Sequence, residues 1–110
     1  MAETLQQYPG TIVADDGIEY DARACGAEMP GGMWQVWIEF VPVVRGKAIH
    51  TARETTQPNR TDAVYWAGGL SRIYLEGALR RAKAGPIVIP RTELPSPVFN
   101  EPAPRSTIER

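Results

Sequence analysis

Residues 48–85 constrain the fold of this chain more than any other stretch. They begin with a β-branched segment, pass Pro58, and continue into an apolar run that ends in cationic residues and Gly85. The run from Val64 to Ala82 holds more apolar residues than one face of a helix can display, because a surface helix buries a single apolar stripe. Such a run must be buried on two sides or divided between two helices.

The pair Gly68-Gly69 favours division of this run. Two glycines inside a helix cost about 2 kcal/mol relative to alanine, and Ser71 follows them as a good N-cap residue. The pattern therefore predicts a short helix near residues 60–67, a bend, and a longer helix near residues 71–84. One bent helix is the alternative.

Three segments before the helical region alternate apolar and polar residues with the period of a half-buried strand. They are residues 18–25, 34–41 and 48–56, and residues 11–14 are a shorter candidate. Short turns, among them Asp16-Gly17, separate these segments and favour antiparallel pairing. The expected fold class is therefore α+β. An antiparallel meander of three to four strands packs against one bent helix or two consecutive helices.

The length and the proline distribution predict the domain organisation. A chain of 110 residues is enough for one domain. Six of the ten prolines lie in residues 86–110. Within that stretch, the β-branched residues 86–89 could add an edge strand to the sheet. We expect a flexible N-terminus over residues 1–7, a single domain over residues 8–89, and a disordered Pro-rich tail over residues 90–110.

The sequence contains few of the patterns that carry enzymatic chemistry. Cys25 is the one cysteine and His50 the one histidine, and neither has an evident catalytic partner in the sequence. There is no metal-ligand spacing, phosphate loop or nucleophile–base pair. These features indicate a non-enzymatic module with no cofactor and no metal. The chain has neither an N-terminal signal pattern nor a long apolar run, so we expect it to be soluble, cytoplasmic and not in a membrane.

The alternation in residues 34–41 predicts a candidate contact surface. If Trp34 and Val36 point into the core, then Gln35 and Trp37 point outward, and Arg23 and Arg53 on neighbouring strands flank them. Tryptophan and arginine are enriched in protein interfaces. The same pair also suits a stacking platform for single-stranded nucleic acid. A third reading has Trp37 covered by the N-terminal segment or by residues 87–89.

The near-neutral charge of −1 decides the order of these readings. A nucleic-acid surface needs clustered cations to neutralise phosphates. We therefore expect a protein partner or self-association, with single-stranded nucleic acid as the alternative. The helical region suggests a second surface, in which Tyr65, Trp66 and Tyr74 form the interface of a homodimer. The alternative for these aromatic residues is ordinary core packing.

Overall fold

The computed structural model describes residues 2–85, and it contains one six-stranded antiparallel sheet followed by two helices. The strands are β1 (Glu3–Gln7), β2 (Ile12–Val13), β3 (Glu19–Glu28), β4 (Trp34–Pro42), β5 (Ile49–His50) and β6 (Thr55–Gln57), and the helices are α1 (Arg60–Gly68) and α2 (Arg72–Ala84). The α+β class and the antiparallel sheet are confirmed. The sheet has six strands where three to four were expected.

The long hairpin of β3 and β4 forms the centre of the sheet. Its register runs from Tyr20 opposite Pro42 to Glu28 opposite Trp34. Both β1 and β2 pair with the other side of β3, and both β5 and β6 pair with the far side of β4. Each edge of the sheet is therefore formed by two short strands and not by one long strand.

The prediction of one continuous strand over residues 48–56 is wrong. The amide of Thr51 donates to the carbonyl of Ile38 (2.9 Å), whereas the amide of Glu54 donates to the carbonyl of Val36 (2.7 Å). The hydroxyl of Thr51 also accepts from the amide of Ile38 (3.1 Å). Because a side chain takes the place of a ladder acceptor, the chain leaves the sheet after β5 and returns at β6.

The prediction of a flexible N-terminus is wrong for Glu3–Gln7, which form β1. Their backbone pairs with β3, and Glu3 is bound by Arg60 at the start of α1 (2.8 Å). Leu5 lies against Gly26, where an added Cβ would come within 2.6 Å of the Leu5 Cδ1 atom. The glycine thus makes room for Leu5, a contact that no local pattern in residues 1–7 reveals.

Both helices pack on the same face of the sheet. Val36, Ile38 and Phe40 are fully buried there, as are Ala63 of α1 and Leu79 of α2. Small residues on the helices allow a close approach to the sheet. The apolar run over residues 64–82 is therefore divided between two helices, which bury small residues and leucines against the same sheet and leave Tyr65 and Ile73 exposed.

The predicted break between the helices is confirmed. The Asn59 side chain accepts from the Asp62 amide (2.8 Å) at the start of α1, and Ser71 Oγ accepts from the Tyr74 amide (3.1 Å) at the start of α2. Gly69 ends α1 with a φ of −94°, which is not a left-handed conformation. The break therefore depends on the Ser71 cap and on packing, and not on a backbone angle that only glycine adopts.

The prediction of an edge strand at residues 86–89 lies outside the described residues, as does that of the tail over residues 90–110. The predicted C-terminal limit of the domain, residue 89, also lies outside the described residues. Among residues 2–85, neither helix has the length and apolar character needed to cross a membrane.

Candidate binding surface

The sheet face turned away from the helices is the candidate surface, and we call it the outer sheet face. Side chains alternate between the two faces of a strand, so its members are the residues of β3 and β4 that lie between the core positions. They are Asp21, Arg23, Cys25, Ala27, Gln35, Trp37, Glu39 and Val41. Cys25 and Ala27 are buried without belonging to the core cluster beneath the helices. Neighbouring side chains of the outer sheet face must therefore cover them.

Trp37 lies at the centre of this face and is half-buried. It is directly opposite Cys25, which in turn lies opposite Thr4 of β1. Gln35 and Glu39 are its neighbours along β4. Cross-strand neighbours of this kind are about 5 Å apart at their Cβ atoms, and the residues at neighbouring positions around Trp37 are small or polar. The position leaves part of a large aromatic ring available to a ligand.

Arg23 and Glu39 form an ion pair beside Trp37. Arg23 Nε donates to Glu39 Oε1 at 2.6 Å, and the two residues are paired across β3 and β4. The hydrogen bond to Glu39 raises the pKa of Arg23 above its usual value. The positive charge of Arg23 is therefore largely compensated, so this arginine adds little positive potential to the surface.

Cys25 is a buried free thiol beside Glu39. Its Sγ atom lies 3.7 Å from Glu39 Oε1 and donates to it. Burial raises the pKa of the Cys25 thiol, and the negative charge of Glu39 raises it further, while the nearby Arg23 lowers it by less. Because the thiolate is the nucleophilic form, a thiol with a raised pKa has little nucleophilic character at neutral pH.

The structure brings together three of the four residues predicted for partner binding. Trp37, Arg23 and Gln35 share the outer sheet face. Arg53 instead lies in the connection between β5 and β6, and its Nη1 atom is 3.5 Å from Met29 Sδ, near the hairpin that joins β3 to β4. The break in the predicted third strand takes Arg53 out of the sheet, so it does not flank Trp37 as expected.

His50 occupies the position across from Glu39 on the neighbouring strand β5. It is exposed, and it pairs with Glu39 between β5 and β4. Its Nδ1 atom lies 2.8 Å from the Thr51 carbonyl oxygen. Only the strand register identifies His50 as a member of this face, because the alternation in residues 48–56 did not indicate where the strand stops.

The aromatic residues predicted for a dimer interface lie in two environments. Tyr65 is 84% exposed on α1. Trp66 and Tyr74 are half-buried, pack against the core, and meet edge to face with their ring centroids 6.0 Å apart. Packing within the chain thus accounts for most of the surface of Trp66 and Tyr74, and Tyr65 alone presents its ring to solvent.

Tyr74 also belongs to a polar cluster that no local sequence pattern indicates. Its hydroxyl donates to Glu54, and Arg81 donates to the same carboxylate oxygen from 2.5 Å. The Glu54 side chain is only 8% exposed. Burial and the hydrogen bond to Glu54 raise the pKa of Tyr74 to about 12. This cluster ties the β5–β6 connection to α2.

Within residues 2–85, no group of three or more histidine, cysteine, aspartate or glutamate side chains is arranged to hold a metal ion. No protein-family model matches this sequence, and no curated protein or solved structure is significantly similar to it. The case for a function therefore depends on the surface itself.

Proposed function

We propose that this protein is a small, non-enzymatic binding module whose outer sheet face contacts a protein partner or a second copy of the chain. One observation carries the proposal. Both helices cover the same face of the sheet, and a half-buried tryptophan stands at the centre of the opposite face. Large aromatic side chains supply much of the binding energy in protein interfaces at low cost in side-chain entropy.

The residues around Trp37 suit a protein partner. Gln35 offers both a donor and an acceptor, and the Arg23–Glu39 pair is held in place before binding. A charge pair that is already hydrogen-bonded leaves few polar groups unsatisfied when water is excluded around it. Such a face can become buried without the larger penalty of burying an isolated charge.

Single-stranded nucleic acid is the second candidate, because a partly exposed indole can stack on a base. The charges around Trp37 favour it less. Arg23 is paired with Glu39, Arg53 lies at Met29, and the carboxylate of Asp21 is exposed on the same face. Within the described residues, the arginine and lysine side chains that lie over aromatic rings contact Tyr74 and Tyr20 rather than Trp37. A phosphate backbone needs a more positive surface.

The test uses Trp37→Thr, which removes the indole and keeps a residue that suits a strand. The matched control is Tyr65→Ala, which removes an exposed aromatic ring from a helix on the other side of the molecule. We expect self-association measured by light scattering, or capture of a partner by the immobilised protein, to be lost in Trp37→Thr and kept in Tyr65→Ala. Circular dichroism checks that both variants fold.

Three results would contradict the proposal. If Tyr65→Ala abolishes association and Trp37→Thr does not, the interface is the helical surface. Short single-stranded DNA or RNA could instead quench tryptophan emission in a salt-sensitive way. If Trp37→Thr then reduces the binding free energy by about 1–3 kcal/mol, the nucleic-acid alternative is established. Unchanged association, capture and quenching in Trp37→Thr would show that this face is not a binding site.

A further inference from the structure

An open groove runs along α1 on the helix side of the molecule, and we call it the helix groove. It has a volume of about 380 Å³. Within α1, Asp62 lies three residues before Tyr65 and four before Trp66, so the three side chains are neighbours on one face of the helix. The residues that line the groove are Gln57, Asp62, Tyr65, Trp66, Gly69 and Leu70.

Asp62 places a negative charge in this groove. Its side chain is exposed, and its Oδ2 atom accepts a long hydrogen bond from Asn59 Nδ2 (3.5 Å). None of the ion pairs among residues 2–85 includes Asp62. Arg60, the nearest cation in the sequence, is bound to Glu3 instead (2.8 Å). The charge of Asp62 is therefore not compensated by a described lysine or arginine.

Two aromatic rings stand beside the Asp62 carboxylate. Tyr65 presents its ring to solvent, whereas Trp66 is half-buried. Tyr74 packs edge to face against Trp66 and holds that ring in place before any ligand arrives. The faces of aromatic rings attract cations because of their negative electrostatic potential. A carboxylate next to an exposed ring therefore suits a positively charged ligand.

Gln57 adds a second acceptor to the groove. Its Nε2 atom donates to Thr55 Oγ1 (2.9 Å), so the amide oxygen is the part of this side chain that suits a ligand donor. A guanidinium group is flat, carries five N–H donors and stacks on aromatic rings, whereas an ammonium group is a compact point charge. Two acceptor groups combined with an aromatic wall therefore favour arginine over lysine.

The chain already binds one of its own arginines in this way. Arg81 donates to the Glu54 carboxylate (2.5 Å), and its guanidinium lies over the Tyr74 ring at 5.6 Å from the centroid. Asp62 and Tyr65 repeat the same combination of carboxylate and ring on α1. In residues 2–85, however, no arginine or lysine pairs with Asp62 or lies over Tyr65.

We propose that the helix groove binds an arginine side chain of a partner protein, with the guanidinium bonded to Asp62 and stacked on Tyr65. The half-buried side chain of Leu70 offers an apolar contact for the methylene groups of that arginine. The proposal does not depend on the binding role of the outer sheet face, because α1 covers the opposite face of the sheet.

The test is a titration of the isotope-labelled full chain with N-acetyl-arginine methylamide, followed by nuclear magnetic resonance. We expect the chemical-shift changes to concentrate at the backbone amides of residues 57–70. The citrulline analogue keeps the shape of the side chain but has no charge, so it should bind about tenfold more weakly. The lysine analogue keeps the charge but lacks the flat group, so it should bind about threefold more weakly.

Three variants locate the interaction. Asp62→Asn removes the charge and keeps the backbone amide that Asn59 caps, and it should weaken binding about fivefold. Asp21→Asn is the matched control, because it removes an exposed carboxylate from the outer sheet face and should leave binding unchanged. Tyr65→Leu keeps an apolar side chain and removes the ring, and it should weaken binding about threefold. Circular dichroism checks that each variant folds.

Several results would overturn the proposal. Equal weakening in Asp62→Asn and Asp21→Asn would show a general attraction to negative charge and no site in the groove. A citrulline analogue that binds as tightly as the arginine compound would exclude recognition of a cation. A lysine analogue that binds as tightly would exclude an arginine site. The absence of chemical-shift changes at residues 57–70 would show that the groove binds none of these side chains.

Discussion

Replacing Glu54 by alanine is expected to lower the free energy of unfolding by about 2–3 kcal/mol. The Glu54 carboxylate is 8% exposed and accepts hydrogen bonds from Tyr74 and Arg81. Leaving the half-buried Tyr74 hydroxyl without its acceptor costs about 1–3 kcal/mol. The ion pair adds less than about 1 kcal/mol, because the Arg81 side chain is 53% exposed and water screens its charge.

Two further variants separate the charge from the hydrogen bond. Glu54→Gln keeps an acceptor oxygen for Tyr74 but removes the negative charge, and it should cost about 1 kcal/mol. Tyr74→Phe removes the hydroxyl and keeps the ring that packs against Trp66. The double variant Glu54→Ala/Tyr74→Phe should lose less free energy of unfolding than the sum of the losses in the two single variants. The difference should be at least about 0.5 kcal/mol, because the two side chains share one contact.

Urea denaturation followed by circular dichroism measures these differences. The midpoint should move to lower urea while the slope of free energy against urea stays constant, which shows that the surface exposed on unfolding is unchanged. The reasoning fails if Glu54→Ala lies within about 0.5 kcal/mol of the parent, the usual range for a surface substitution. It also fails if the effects of Glu54→Ala and Tyr74→Phe simply add.

Two further predictions concern stability. Gly26→Ala should lower the free energy of unfolding by about 1–3 kcal/mol, because the added methyl group forces Leu5 aside. Measured by urea denaturation, this loss should be smaller in a Leu5→Ala background. An equal loss in both backgrounds would refute the clash. Stability should also fall as the pH rises above about 10, where unfolded tyrosines lose their proton. Burial raises the pKa of Tyr8 and of Tyr74, so the native state keeps protons that the unfolded chain releases. Between pH 9 and pH 11 the urea midpoint should therefore fall less in Tyr8→Phe/Tyr74→Phe than in the parent. An equal or larger fall in the variant would contradict this assignment.

The sequence alone determined the elements whose signals are local. Alternation over residues 18–25 and 34–41 predicts the two long strands, because the side chains of a strand that is buried on one face must alternate. Asn59 and Ser71 mark both helix starts, because a capping side chain bonds to amides two or three residues away. The outward orientation of Trp37 follows from the same alternation.

Only the tertiary structure decided the features that depend on contacts between distant residues. Strand β1 has almost no apolar pattern of its own and exists because β3 supplies its hydrogen bonds and Gly26 makes room for Leu5. Likewise, the Thr51 hydroxyl interrupts the third strand by bonding to Ile38. That interruption removes Arg53 from the outer sheet face and places His50 beside Glu39. Propensity and periodicity describe a residue's neighbours in the sequence, whereas register and side-chain pairing are set by partners elsewhere in the chain.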